Sequence, residues 1–273
     1  MVNHWKRSDE ELHGNLELIT GEEEQIVEKL RANLRVANNM ASLKSRRTTL
    51  YEKTIKRLID IIASLSAIIV LSPIMFLAAI GTHIFHGSPI IFRQTRMGKD
   101  MRPFEMYKFK SLVDKRGEDG KMLPVDQRVT KFGKFLRATS IDELPNFVNV
   151  LKGEMSIIGP RPVPVFYVDR MSKRHKHRFE VKPGLECPAQ YTPCLFGGDE
   201  DDYQFHIKYE NDVWYVEHIG FHTDMKKALS LFKLAFSKKE RVAHAVAGTN
   251  FVGYDKLGRA ISLRIAKKFP ENT

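Results

Sequence analysis

The run Ile61-Ile62-Ala63-Ser64-Leu65-Ser66-Ala67-Ile68-Ile69-Val70-Leu71-Ser72-Pro73-Ile74-Met75-Phe76-Leu77-Ala78-Ala79-Ile80-Gly81-Thr82 contains no charged side chain and no histidine. At about 1.5 Å per helical residue it reaches about 33 Å, enough for the hydrocarbon core of a bilayer. It begins too far from Met1 for a signal peptide and no small-residue cleavage site follows it, so it is expected to stay in the chain. A core helix of a soluble protein is the competing reading, disfavoured by this length without a charge. Ser72-Pro73 interrupts the run: proline removes a helical hydrogen bond and collides with the carbonyl of Ile69, while the Ser72 hydroxyl can satisfy freed backbone groups. Each half is too short to cross a bilayer alone. Lys53, Lys56 and Arg57 precede the run and a basic remainder follows it, so both flanks read as cytoplasmic. The expectation is a broken, re-entrant membrane helix, ahead of a kinked span.

The 273 residues carry 44 Lys plus Arg against 33 Asp plus Glu, a formal charge of +11, with 42% hydrophobic and 28% charged residues. That balance supports a sizeable core and excludes collagen, coiled-coil rods and wholly disordered chains. The charge is uneven. Residues 1–30 hold three cations against eight carboxylates, a net −5, which leaves +16 for the rest. Such a field attracts polyanions, whether nucleic acid, anionic headgroups or a phosphorylated substrate, and the membrane-length run points towards the bilayer. Two cysteines, Cys187 and Cys194, make no disulfide framework, and no Cys/His set has structural zinc spacing. A reducing compartment is expected.

Four regions follow. Residues 1–50 read as an acidic appendage in which Thr20 and Glu23 form a capping box. Ile26, Leu30, Leu34 and Ala37 then mark one amphipathic helix over about 21–41, read as a solvated surface helix in preference to one packed on a partner or on the basic domain. Residues 51–86 form the re-entrant segment, 87–240 the cytoplasmic catalytic domain and 241–273 a C-terminal extension. Residues 89–94 and 103–110 suit strands around the turn Gly98-Lys99-Asp100, with Phe104, Met106 and, after a register break, Phe109 facing a core while Lys108 and Lys110 project together. Short helices are expected over 133–136, 143–151 and 223–236. The fold class is mixed α/β, mostly helical with a few short strands: a compact membrane-associated catalytic domain behind a re-entrant helix.

The densest chemistry lies between Arg128 and Pro162. Ser140-Ile141-Asp142-Glu143-Leu144-Pro145 places two carboxylates at a helix start, where they could simply cap it. A carboxylate there can also attack phosphorus if a divalent cation and nearby Arg or Lys screen the charges. Glu143 can supply the cation ligand. Arg161, fixed between Pro160 and Pro162, suits bidentate phosphate recognition because it loses little freedom on binding. Lys108, Lys110, Arg128 and Arg137 are weaker candidates for the same anion site.

Lys56-Arg57-x-x-Asp60, the apolar run with Ser72-Pro73, Phe92-Arg93-Gln94-x-Arg96-x-Gly98, Lys108-Phe109-Lys110-Ser111 and Arg137-x-x-Ser140-x-Asp142-Glu143-Leu144-Pro145 stand in one order. Asn149-Val150-Leu151-x-Gly153-Glu154-Met155-Ser156 and Gly159-Pro160-Arg161-Pro162 complete it. Together, over about residues 53–236, they resemble the bacterial sugar transferase family, the monotopic phosphoglycosyl transferases that act on polyprenyl phosphate. The resemblance implies a helix-break-helix in the cytoplasmic leaflet of the bacterial inner membrane, Mg²⁺ dependence and two-step transfer. By that analogy Asp142 attacks the β-phosphate of a nucleotide sugar, usually a UDP-sugar, and polyprenyl phosphate then takes the phosphosugar to begin glycan assembly. Membrane lipids are implied as partners, nucleic acid is not, and a homo-oligomer is left open. Downstream, Pro183-Gly184-Leu185-Glu186-Cys187-Pro188-Ala189-Gln190 departs from the family's usual pattern. The acidic run at 199–202 reads as a solvated loop. The alternatives are a membrane-docked basic adaptor, indifferent to changes at Asp142, and an inactive family member.

Overall fold

A computed structural model of the chain describes residues 21–39, 46–118, 120, 122–123, 125–187, 203–235 and 250–272. Thr20, Ala41, Pro188, Ala189, Gln190, Cys194 and the acidic run at 199–202 lie outside the described residues. The elements that matter here are α1 (Gly21–Leu30), α2 (Asn33–Asn39), α3 (Lys56–His86), β1 (Ile91–Met97), β2 (Pro103–Phe109), α4 (Lys131–Ala138) and α5 (Asn146–Lys152). They continue with β3 (Ser156–Ile158), β4 (Val163–Pro164), β5 (Gly184–Glu186), α6 (Gln204–Glu217), α7 (Phe221–Ala235), β6 (Phe251–Tyr254), β7 (Ala260–Ser262) and α8 (Leu263–Lys268). The chain is mostly helical. Its strands form a three-stranded sheet in the order β2-β1-β4, a parallel pair β3-β5 and an antiparallel pair β6-β7.

Helix α3 holds the apolar run, with Pro73 inside it and a mean hydropathy of 2.5 over its most apolar stretch, 11% of which is buried. It is long and apolar enough to cross a membrane and far too exposed for a soluble core. The helix runs on through Pro73, so the expected break is at most a bend within it, and the Ile69 carbonyl freed by the proline accepts the Ser72 hydroxyl at 2.8 Å. Its buried residues come in two sets. Lys56, Asp60 and Ser64 lie at one end, Ala78, Thr82 and His86 at the other, and none lies between.

Both ends are tied to the remaining chain by polar contacts. Asp60 accepts from the Ser156 hydroxyl and the Ile157 amide, each at 3.0 Å. Arg57 donates to the carbonyls of Val150 and Leu151 at 2.6 and 2.7 Å, and Lys56 meets Asp224 at 2.6 Å. At the far end His86 meets the Thr130 hydroxyl at 2.7 Å, and Ala78 packs with Phe109 and Leu136. Gly133 sits against the Ser111 carbonyl, where a Cβ would come within 2.1 Å, so only glycine allows α4 this close to the chain after β2.

Strands β1 and β2 pair antiparallel from Ile91↔Phe109 to Met97↔Pro103, and Phe104, Met106 and Phe109 are buried as their pattern predicts. Asn149 locks α5 to β2: its amide donates to the Glu105 carbonyl at 2.6 Å and its oxygen accepts from the Tyr107 amide at 3.1 Å. Removing either partner of such a fully buried group costs about 1–3 kcal/mol.

The expected single N-terminal helix is two. Between α1 and α2 the chain tightens, with Arg31 and Leu34 amides bonding to carbonyls three residues back, and Asn33 donates to the Tyr254 carbonyl at 3.0 Å. Nor is the described part of the appendage, α1 and α2, a wholly solvated surface element. Glu23 is 1% exposed, paired with Arg170 and Asn250 at 3.1 Å each, and Leu30 packs with Val252, Ile261, Ile265 and Ala266. Burial of this face against the β6-β7 hairpin and α8 outweighs the acidic surface pattern from which exposure was read.

Candidate active site

Asp142 and Glu143 stand on a tight turn, Ile141–Glu143, between α4 and α5. Ser140 makes no side-chain cap on this turn: it takes a left-handed backbone (φ 57°, ψ 18°) and its carbonyl accepts from the Glu143 amide. A serine held there stores roughly 1–2 kcal/mol of local strain next to the two acids.

The two carboxylates differ sharply. Glu143 Oε1 accepts from Lys108 Nζ at 2.8 Å and from Arg161 Nη2. Burial would raise its pKa, but Arg161 and Lys108 outweigh that and hold it down to about 2. Asp142 is 8% exposed and makes no hydrogen bond among the described residues. Burial pushes its carboxyl up to about 6 against the pull of Lys108, and the Glu143 charge adds to the rise. One acid is therefore a pinned anion and its neighbour an unpinned, costly one.

Arg161 reaches Glu143 because the chain around it is tightly built. Ser156↔Gly184 and Ile158↔Glu186 pair in parallel, Gly184 donates to the Pro160 carbonyl at 2.9 Å, and a Cβ on Gly184 would lie 2.2 Å from the Gly159 nitrogen. Pro162 then leads into Val163, paired with Met97 of β1. The other candidates divide. Lys108 joins the acids and Arg137 lies close enough to act electrostatically on Asp142 while donating to the Ser111 hydroxyl at 3.0 Å. Lys110 and Arg128 turn instead to Asp114, at 2.6 and 3.6 Å.

Two arginines absent from the candidate set belong here. Arg96 on β1 is electrostatically coupled to Arg161 and Glu143, and burial lowers it to about 10. Arg178 donates to the Arg161 carbonyl and lies 3.1 Å from Asp212. Among the described residues Arg96 Nε and Arg178 Nη1 are buried without a hydrogen-bond partner, donors suited to an incoming anion. Arg96 stands in the quoted Phe92-to-Gly98 motif, a signal that could have marked it, whereas Arg178 carries no local signal. The donor set also suits Mg²⁺, which takes hard oxygen ligands from one or two carboxylates and substrate phosphates, and Glu143 is held ionised as a ligand must be.

Residues 51–238 match the family model described as Bacterial sugar transferase. The chain is 35% identical over 200 residues to the uncharacterized sugar transferase EpsL of Bacillus subtilis, covering 73% of this chain and 96% of that one. It is 38% identical over 176 residues to the UDP-N-acetylgalactosamine-undecaprenyl-phosphate N-acetylgalactosaminephosphotransferase of Aeromonas hydrophila, covering 63% of this chain and 41% of that one. It is 38% identical over 185 residues to the UDP-glucose:undecaprenyl-phosphate glucose-1-phosphate transferase of Klebsiella pneumoniae, covering 65% of this chain and 39% of that one. The match thus spans nearly all of the first relative and about two fifths of the other two. The chain belongs to the bacterial sugar transferase family.

Proposed function

We propose that this bacterial sugar transferase family member moves a phosphosugar from a UDP-sugar to polyprenyl phosphate through a covalent Asp142 intermediate, opening the assembly of a glycan. The carrying observation is the unequal pair: Asp142 unpaired with its pKa near 6, Glu143 pinned by Lys108 and Arg161 near 2. An Asp142 oxygen attacks the β-phosphorus, the bond from that phosphorus to the bridging oxygen breaks, and UMP leaves with the electron pair. A polyprenyl phosphate oxygen then attacks the same phosphorus and returns Asp142 as carboxylate. Arg161, Lys108, Arg96 and Arg137 stabilise charge on the diphosphate and orient it for in-line attack. Mg²⁺, when bound at Glu143, supplies further neutralisation of that charge. The names of the Aeromonas and Klebsiella relatives support both the nucleotide sugar and the undecaprenyl acceptor.

The same proposal puts α3 in the cytoplasmic leaflet of the bacterial inner membrane, entering and leaving on one side. Its two ends are buried against one catalytic unit while the stretch between them has no buried residue, which supports re-entry over a span. Cysteines introduced before Lys56 and after Arg93 should react with an impermeant reagent from the same side, and labelling from opposite sides would refute re-entry. For the reaction, Asp142→Asn should lower transfer from UDP-sugar to polyprenyl phosphate by about 10³-fold or more, read as UMP release and lipid-linked product. Undiminished product would refute it.

A further inference from the structure

At the start of α3 lies a cavity of about 330 Å³, within the range of small-ligand sites, and neither Asp142 nor Glu143 lines it. Its wall carries five cations, Lys53, Lys56, Arg57, Lys99 and Lys182, against Glu52 and Asp60. Glu52 is engaged by Arg46, while Asp60 accepts from Ser156 and the Ile157 amide and offsets part of the charge of Lys56 and Lys182, which leaves the lining net positive. Lys56 is paired with Asp224, while Arg57 donates to two neutral carbonyls that leave its charge uncancelled. The ammonium groups of Lys53, Lys99 and Lys182, brought from three distant stretches, have no hydrogen bond or ion pair among the described residues. Burial depresses Lys182, and the charges of Arg57, Lys99 and Lys56 depress it further against the opposing pull of Asp60. Like charges gathered on low-dielectric walls focus field and concentrate anions.

We propose that this cavity binds the phosphate of a lipid headgroup, at a place separate from the two acids. Free phosphate shares that chemistry, but the surroundings favour a lipid. Leu50, Ile55, Leu58 and Ile59 beside the cavity are exposed, and so are Phe221, Met225 and Leu229, one stripe of α7 at four-residue spacing. The Tyr51 and Phe221 rings meet edge to face with centroids 6.0 Å apart, which joins the two apolar patches. A headgroup held by Lys53, Lys99 and Lys182 leaves its chains to cover that surface. The site requires no transfer chemistry and stands apart from the proposed reaction.

The full chain in non-ionic detergent, examined by native mass spectrometry with dihexanoyl phosphatidylglycerol, should retain one lipid per chain. Lys53→Gln combined with Lys182→Gln should weaken that binding by about tenfold or more, and Lys173→Gln, an exposed distant control, should leave it unchanged. Should the double variant fail to fold by circular dichroism, Lys99→Gln alone should weaken binding several-fold. Competition by inorganic phosphate would support recognition through the phosphate group. Equal lipid retention by folded variants, or binding of inorganic phosphate without any of the lipid, would overturn the proposal. Because UMP release is not read, failure here and failure of the transferase reading are told apart.

Discussion

Two buried carboxylate neighbourhoods, one at Glu210 and one at Asp142, show the difference between an acid saturated by the fold and an acid left unpaired among the described residues. Glu210, on α6, takes bonds from Arg174 at 2.7, 2.8 and 3.1 Å and meets His175 at 3.0 Å. His175 in turn meets the Tyr254 hydroxyl at 2.7 Å, and that hydroxyl accepts from the Ser172 amide at 2.8 Å, so the network fastens the β6-β7 hairpin to the catalytic unit. Burial opposes ionisation of Glu210, but His175 and Arg174 pull it down to about 2. Asp142 is as buried, makes no such bonds, and sits near 6. A saturated anion stabilises the fold. An unsaturated one costs stability and remains available to an electrophile.

The largest expected effect on stability breaks the saturated side. Glu210→Gln should destabilise the fold by about 2 kcal/mol at pH 7, seen in urea unfolding, because Arg174 and His175 lose their shared carboxylate and Arg174 keeps the more distant Glu217 at 3.9 Å. Glu210 ionises near 2 when folded and near 4.3 when unfolded, so its contribution is complete above the unfolded value and is lost as pH falls through about 4 to 2. The cost of the substitution should shrink over that window. A cost independent of pH would mean that packing, not charge, holds the hairpin.

On the chemical side, Arg161→Lys should lower kcat/KM for the nucleotide sugar by about 10- to 100-fold, since an ammonium cannot span Glu143 and a phosphate as a planar guanidinium can. Unaltered efficiency would remove Arg161 from the site. The smallest effect sharpens the contrast most. Asp142→Asn should raise the stability of the metal-free protein by about 1–3 kcal/mol at pH 7.5 while abolishing transfer. An unfolded aspartate ionises near 3.9 and Asp142 near 6, so stability falls as pH rises between those values and the gain from asparagine should vanish below about pH 4. A destabilising Asp142→Asn would place Asp142 in the same class as Glu210.

Local pattern carried much of this protein. The charge-free run, the Ile69–Ser72–Pro73 repair, the alternation of Phe104 and Met106, and Lys108, Asp142, Glu143 and Arg161 as one cluster were all readable from residue type and spacing. What escaped was non-local. Glu23 bonds to Arg170, 147 residues away, and to Asn250, 227 away, and no period in the sequence encodes either pairing. The helix division after Leu30 follows from the same docking. Lys108 and Lys110 parted because β2 ends at Phe109, which frees Lys110 to follow the chain towards Asp114. The left-handed Ser140 shows how a capping pattern yields to tertiary constraint at a strained site.

The central claim is that the unpinned acid is the nucleophile, and the direct measurement is peptide mass spectrometry of the protein quenched after mixing with UDP-sugar in the absence of polyprenyl phosphate. A phosphosugar adduct should appear on Asp142 in the unmodified chain, persist at a lower rate in Glu143→Gln, and be absent in Asp142→Asn. An adduct on Glu143, or full UMP release by Asp142→Asn with no adduct on any residue, would contradict the account.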